Sequence, residues 1–190
     1  DVQVEVIASG LADGTIVLPA NSQRQIKKPC AIGKGLRTKI NANIGTSPDF
    51  NNIQTELEKL HIAEKYGSDT VMDLSTGGDI SAIRKTILRE SSIPLGTVPI
   101  YQAAVRSIEE HSSIVAMEVE DLFGCIEEQV RDGVDFITVH CGITQGVVAR
   151  LKQQGRVTNV VSRGGAFLIG WMLYHQRENP LYEYYDRLLE

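Results

Sequence analysis

Ser75, Thr76, Gly77, Gly78 and Asp79 close the segment DTVMDLSTGGD (69–79), an apolar, β-branched run that stops abruptly and feeds a helical pattern. Short hydroxyl side chains donate hydrogen bonds from stiff stems. Glycines let a backbone come close, and a carboxylate accepts. Gathered where a strand stops, such residues could hold a buried polar ligand. They would serve equally as a strand-to-helix turn in which Ser, Thr and Asp cap the next helix. The pattern recurs in KINANIGTS (39–47), GTVPIYQ (96–102), FITVHCG (136–142) and VVSRGG (160–165). Repeated strand ends of this kind describe a site assembled from several parallel strands rather than a single phosphate loop.

Within these segments, His140 ends an apolar run ahead of Cys141 and Gly142. A histidine there is either a core residue bonded to backbone or an acid, base or ligand-positioning group, because its protonation changes near neutral pH. Asn43 and Tyr101 at other strand ends favour the second reading, although Tyr101 would also serve as an aromatic cap on a sheet rim. Ser162, Arg163, Gly164 and Gly165 stand ahead of a helix expected to start near Ala166. A guanidinium, free amides and a helix dipole converging on one point make an anion site, and a phosphorylated small molecule is its natural ligand. The alternative is a tight turn with an exposed Arg. Cys141 reads as a buried thiol rather than a nucleophile, for want of a basic neighbour to lower its pKa. Trp171, Met172 and Tyr174 read as a core-facing helix, and Tyr182, Tyr184 and Tyr185 as packing residues.

The elements that must position these groups alternate in period. Residues 2–14 fit either a strand or a short helix ended by Gly14. Thr15 to Leu18 reads as a short strand, Asn21 to Pro29 as a loop and Ala31 to Gly35 as a turn. Strands are expected at Leu36–Ile44, Thr70–Leu74, Pro94–Pro99, Asp135–Cys141 and Val157–Val161. Helices are expected at Asn52–Tyr66, from Ile80 to Leu88, and at Tyr101–Glu110, Val119–Arg131, Gln145–Gln153, Ala166–His175 and Leu181–Leu189. Strand and helix alternating with short connections demand a parallel sheet with right-handed crossovers. Five strands would close an open doubly wound sheet or make part of a (β/α)8 barrel. Functional residues at several strand ends favour the barrel, incomplete in this chain. Neither GxGxxG nor GxxxxGK[ST] occurs, so the usual dinucleotide and P-loop readings lack support.

The 190 residues suit one domain or most of a larger one, with a hydrophobic share of 42% and a net charge of −5. That charge, with no basic stripe, argues against nucleic acid as a partner. No run approaches the ~20 apolar residues of a membrane span. No signal peptide is visible, and a start without Met reads as a truncation. The three cysteines, Cys30, Cys125 and Cys141, form no CxxC pair; they suggest free thiols in a reducing, cytoplasmic compartment and supply no metal-ligand pattern.

KINANIGTS (39–47), DTVMDLSTGGDI (69–80), PLGTVPIYQA (94–103), DGVDFITVHCGIT (132–144) and VVSRGGAFLIGWMLYHQRENPLYE (160–183) together resemble the phosphomethylpyrimidine synthase (ThiC) family, in the family's order and over nearly the whole chain. GTIVLPAN (14–21) resembles the segment that precedes its barrel. The resemblance implies a (β/α)8 barrel, with residues 1–35 leading in and 36–190 forming its first part. It implies radical S-adenosylmethionine chemistry: a [4Fe-4S] cluster and S-adenosylmethionine, with a zinc or iron ion, convert 5-aminoimidazole ribotide into the hydroxymethylpyrimidine phosphate of thiamin. A cytoplasmic homodimer goes with it.

Carried over position by position, the resemblance implies that Asn43, Met72, Tyr101 and His140 contact the substrate, with Ser162, Arg163 and Gly164 as a loop. Met72 is the one member of this set that the residues themselves would place in the core. The family's later DGLRPG-type loop, metal-binding histidines and CxxCxxxxC motif do not occur before Glu190. No metal ligand is therefore expected in this chain, and without cluster ligands it would be inactive. HCG at 140–142 stands where many members have His-Ala-Gly. A paralogous group makes hydroxybenzimidazole from the same ribotide, and a ribotide-binding module without turnover is the reading from another class.

Overall fold

Gly10, between Ser9 and Leu11, settles the ambiguity of the first residues. They form helix α1 (Val4–Ala12), and a Cβ on Gly10 would lie 2.5 Å from the Ile16 side chain, so the helix seats directly on the strand that follows. The computed structural model describes residues 2–190. That following strand, β1 (Ile16–Val17), pairs antiparallel with β2 (Ile32–Gly33), which lies inside the segment expected as a turn.

The main sheet has the strands β3 (Asn41–Ile44), β4 (Thr70–Asp73), β5 (Leu95–Thr97) and β6 (Phe136–Ile137), side by side in chain order and all parallel. Between β3 and β4 runs α2 (Ile53–Lys65), capped by Asn52, whose side chain accepts from the Gln54 and Thr55 amides. Between β4 and β5 runs α3 (Ile80–Glu90), capped by Asp79 through the Ala82 amide. From β5 the chain passes through α4 (Pro99–His111), a 3-10 turn (Ile114–Ala116) and α5 (Val119–Arg131) before β6. After β6 come α6 (Gln145–Gln154), α7 (Arg163–His175), α8 (Pro180–Glu183) and α9 (Tyr185–Leu189).

The chain divides into two compact units. One takes in the chain up to Thr97 together with Glu128–Ile137; the other takes in Val98–Glu127 and Thr138–Glu190. Strand geometry sends alternate side chains to opposite faces of the sheet in the first unit. Val71 and Leu95, register partners on β4 and β5, are fully buried with Leu60 of α2 and Ile83 and Ile87 of α3 in one apolar cluster. The opposite face carries the row Asn43, Met72, Gly96 and Phe136, one residue from each strand in direct register.

The leading segment is tied to this sheet by two carboxylates in equivalent places. Asp69, just before β4, accepts from the Arg37 guanidinium and the Ile40 amide. Asp135, just before β6, accepts from the Arg24 guanidinium, the Leu95 amide and the Asn21 amide. Burial alone would push the Asp69 carboxyl up, but its bonds to Arg37 and Ile40 outweigh that and hold it below the ordinary value.

In the second unit, α7 is anchored by Trp171, whose indole N–H donates to the Met117 carbonyl at 2.7 Å, and by His175, whose Nε2 donates to the Val115 carbonyl at 2.6 Å. Trp171 and Met172 are buried as expected, but Tyr174 is exposed: it falls on the outer face of α7.

Three expectations are corrected. Val157–Val161 is not a strand: Asn159 takes a left-handed backbone, φ 51°, in the middle of the run, and Val157 and Val161 stay exposed rather than packing into a sheet. The main sheet therefore has four strands among the described residues, not five. Regular pairing is also shorter than the apolar runs, because Arg37 and Ile40 are bonded to Asp69 ahead of β3 and the chain leaves β6 after Ile137.

Candidate functional site

The segment that first draws attention is scaffold. Asp73 is buried and accepts from both the amide (2.9 Å) and the hydroxyl (2.5 Å) of Ser75. Ser75 Oγ accepts from the Thr46 amide at 3.0 Å, and the Thr46 hydroxyl donates to the Gly77 carbonyl at 2.6 Å. A Cβ on Gly77 would sit 2.3 Å from the Ser47 backbone, so the loops after β3 and β4 touch backbone to backbone. Burial pushes the Asp73 carboxyl up, against the pull of the Ser75 bonds and Arg84. The hydroxyls and glycines hold one loop to the other, and Asp79 is a helix cap, as the simpler reading had it. The network fixes the ends of β3 and β4, one residue beyond Asn43 and Met72.

Asn43 and Met72 are register partners and penultimate in their strands. Met72 is half-buried and lines a cavity of about 740 Å³ within the first unit, together with Asn41, Thr70, Phe136, Arg37 and Ile32. It lies on the face away from the apolar cluster. The core assignment that its residue type suggests fails because the strand alternation, read from Val71, sends Met72 to the other side. Gly96 completes the row: a Cβ there would meet the Phe136 ring at 2.2 Å, so the ring packs directly against β5. Asn41, Thr70 and Phe136 went unnoticed as cavity-lining residues; the i, i+2 spacing of Asn41 and Asn43 in KINAN was the available signal.

In the second unit, His140 follows β6 by three residues, and its Nε2 is 2.8 Å from Ser162 Oγ. Ser162 caps α7 and accepts from the Gly165 amide at 3.2 Å. The helix thus begins at Arg163, ahead of the expected Ala166, because the serine cap allows the paired glycines to form its first turn. A Cβ on Gly164 would sit 2.4 Å from His140 Cε1, so only a glycine admits the imidazole at this distance. His140 Nδ1 is buried without a hydrogen-bond partner among the described residues. Burial holds the His140 pKa below the ordinary imidazole value. Asn179 steadies the loop by donating to the His140 and Ile143 carbonyls.

Arg163, exposed at the first position of α7, has its guanidinium carbon 5.5 Å from the Tyr101 ring centre, and Tyr101 meets Phe167 edge-on at 6.3 Å. The aromatic shelf holds the cation at a helix start, where unpaired amides gather. Cys141 is half-buried, and burial raises its thiol, which leaves it protonated rather than nucleophilic.

Among the described residues, no three His, Cys, Asp or Glu side chains are grouped to hold a metal ion, and Cys30, Cys125 and Cys141 are all free thiols. No helix among the described residues is long and apolar enough to cross a membrane.

The family model described as the Radical SAM ThiC family matches residues 1–190. The phosphomethylpyrimidine synthase of Dehalococcoides mccartyi (strain CBDB1) is 57% identical over 188 residues, 99% of this chain and 44% of that protein. The phosphomethylpyrimidine synthase of Thermodesulfovibrio yellowstonii is 59% identical over 186 residues, 98% of this chain and 43% of the relative. The 5-hydroxybenzimidazole synthase BzaB of Moorella thermoacetica is 54% identical over 189 residues, 100% of this chain and 44% of the relative. The chain spans less than half the length of the curated relatives it matches.

Proposed function

We propose, for a chain that belongs to the Radical SAM ThiC family, that the complete protein converts 5-aminoimidazole ribotide into 4-amino-5-hydroxymethyl-2-methylpyrimidine phosphate in thiamin biosynthesis. The observation that carries this reading is the family match over the whole chain, joined by relatives of that name at 57% and 59% identity. The chain is read as the lead-in (1–35) and first part (36–190) of a (β/α)8 barrel. Four consecutive parallel strands with α2 and α3 packed on one face support that reading.

The [4Fe-4S] cluster and S-adenosylmethionine that the family implies would supply the radical, and the cluster's ligands, like those of a zinc or iron ion, lie outside these residues. What this chain contributes is substrate binding. Arg163, braced on Tyr101 beside the first amides of α7, is assigned to the ribotide phosphate; its planar fork suits that anion. Asn43, Met72, Tyr101, Ser162, Gly164 and His140 are assigned to substrate contact, with His140 at the reacting half. The enzyme is taken to be a cytoplasmic homodimer.

The test is the product formed by the complete, anaerobically reconstituted protein from ribotide and S-adenosylmethionine, identified by mass spectrometry. Hydroxymethylpyrimidine phosphate supports the proposal. Hydroxybenzimidazole, the product in the name of BzaB, would overturn it in favour of the second reading. Tight ribotide binding without either product would make it a binding module.

A further inference from the structure

We infer that Thr70 and Asn41 are positioning residues that fix the side-chain amide of Asn43 with its N–H₂ outward, so that Asn43 reads a hydrogen-bond acceptor on its ligand. The inference rests on the assignment of Asn43 to ribotide contact.

The four residues Asn41, Asn43, Thr70 and Met72 occupy one face of adjacent strands, Asn41 opposite Thr70 and Asn43 opposite Met72. The Thr70 hydroxyl donates to Asn41 Oδ1 at 2.8 Å, and Asn41 Nδ2 donates to Asn43 Oδ1 at 2.9 Å. The direction follows from burial. Thr70 is buried, and the Asn41 carbonyl is the acceptor for its hydroxyl proton. Reversing the chain would turn Thr70 into an acceptor and leave a buried O–H unpaired, which costs more than any bond gained. With Asn41 Oδ1 committed to Thr70, its Nδ2 must face Asn43, and Asn43 must meet it with Oδ1. The remaining group, Asn43 Nδ2, has no partner among the described residues, and Asn43 is exposed.

The consequence is a polarity. A free asparagine amide rotates to donate or accept as its ligand demands; this one is held as a donor. It suits a phosphate or ribose oxygen, or an unprotonated imidazole nitrogen, and it disfavours an exocyclic amine at the same place. A chain of two bonds anchored on a buried threonine also removes the cost of ordering the amide when the ligand arrives.

Two measurements test this. In the ligand-free chain, side-chain amide protons of Asn41 and Asn43 are assigned with Asn41→Ser and Asn43→Ser, and their exchange with water is followed by NMR. An Asn41 proton exchanging about tenfold more slowly than those of Asn43, and losing that protection in Asn43→Ala, is the expected result for a net hydrogen bond of this class. Protection on Asn43 Nδ2 instead would mean the chain runs the other way, and the inference fails whatever the ligand.

In the complete protein, ribotide affinity is measured for Thr70→Val, Thr70→Ser, Asn41→Asp and Asn43→Ala. Asn43→Ala should weaken binding about tenfold and Thr70→Val about threefold, with Thr70→Ser restoring the parent value. The double variant Thr70→Val/Asn43→Ala should be no weaker than Asn43→Ala, because Thr70 acts only through Asn43. Strict additivity would overturn the inference, and Asn41→Asp, at an exposed position, gives the same cycle should Thr70→Val not fold. A parent that does not bind ribotide would sink the proposed function, and the exchange experiment would still decide the orientation of Asn43.

Discussion

His140 Nε2 lies 2.8 Å from Ser162 Oγ, while the other ring nitrogen, Nδ1, is buried with no partner among the described residues. This pairing fixes a protonation state. An orphaned buried N–H costs more than an unused lone pair, so the proton belongs on Nε2, donated to the serine, which also accepts from Gly165. A second proton would have to sit on Nδ1, where no acceptor awaits it. Burial and geometry therefore agree: both favour the neutral imidazole, with Nε2 on Ser162 and Nδ1 left as an unused acceptor.

The first expected outcome is a pH dependence of stability. The folded pKa of His140 is depressed, so its contribution is fully present above the unfolded value, ordinarily about 6.5, and is lost as pH falls towards the lower folded value. The unfolded chain takes up a proton in that window and the folded chain does not. Urea unfolding between about pH 7.5 and 5.5 should show the parent losing stability relative to His140→Gln, with a slope of at most about 1.4 kcal/mol per pH unit. Parallel curves for the two proteins would mean that His140 protonates freely in the fold.

Gly164 supplies a steric prediction. A Cβ there would lie 2.4 Å from His140 Cε1 and 2.9 Å from both ring nitrogens. Gly164→Ala should push the imidazole off Ser162 and cost about 1–3 kcal/mol, as overpacking does. The His140 resonances should then titrate nearer the ordinary histidine range. Unchanged stability and an unchanged His140 titration would show that the ring has room to give.

Much of the fold could be read in advance because each signal was local. Asp79 caps the helix that follows, and Gly67 takes φ 86° just past the end of α2. Alternating strands and helices were enough to require parallel pairing. What stayed hidden depended on partners distant in sequence. Nothing near Val157–Val161 says that the run lacks a strand to pair with. Nothing near Ser75 says that its hydroxyl serves Asp73 and Thr46 rather than a ligand. Likewise, Met72 could not be separated from core residues until the register placed it beside Asn43, opposite the face of Val71.

The tie between the leading segment and the sheet should dominate the stability of the first unit. The Asp135 side chain is fully buried and that of Arg24 is 11% exposed. Asp135→Ala would strand the Arg24 guanidinium and release the Leu95 and Asn21 amides. Breaking a buried pair from one side costs about 3–5 kcal/mol. Asp69→Ala should cost less, because the Arg37 side chain that it holds is 65% exposed and retains water. Denaturant midpoints for the two variants check the ranking; a larger loss at Asp69 would mean that its bond to the Ile40 amide outweighs the buried pair.

Arg163 and His140 separate binding from chemistry in the complete protein. Arg163 is exposed and braced by Tyr101, so its removal should leave the fold intact and weaken ribotide binding by about 1.5–3 kcal/mol, the worth of a charge-assisted bond. Tyr101→Leu should reproduce a part of that, about 0.5–1 kcal/mol, by removing the shelf under the guanidinium. His140→Ala should lower turnover, by about 10²–10⁴ if His140 moves a proton during the reaction. His140→Gln should leave binding near the parent value, since its amide can still meet Ser162, without restoring the rate. Calorimetric affinity beside single-turnover product formation distinguishes the cases. Arg163→Ala binding ribotide as tightly as the parent would refute the phosphate assignment. His140→Ala turning over normally at saturation would make His140 a packing residue, its ring doing no more than fill the space that Gly164 leaves open.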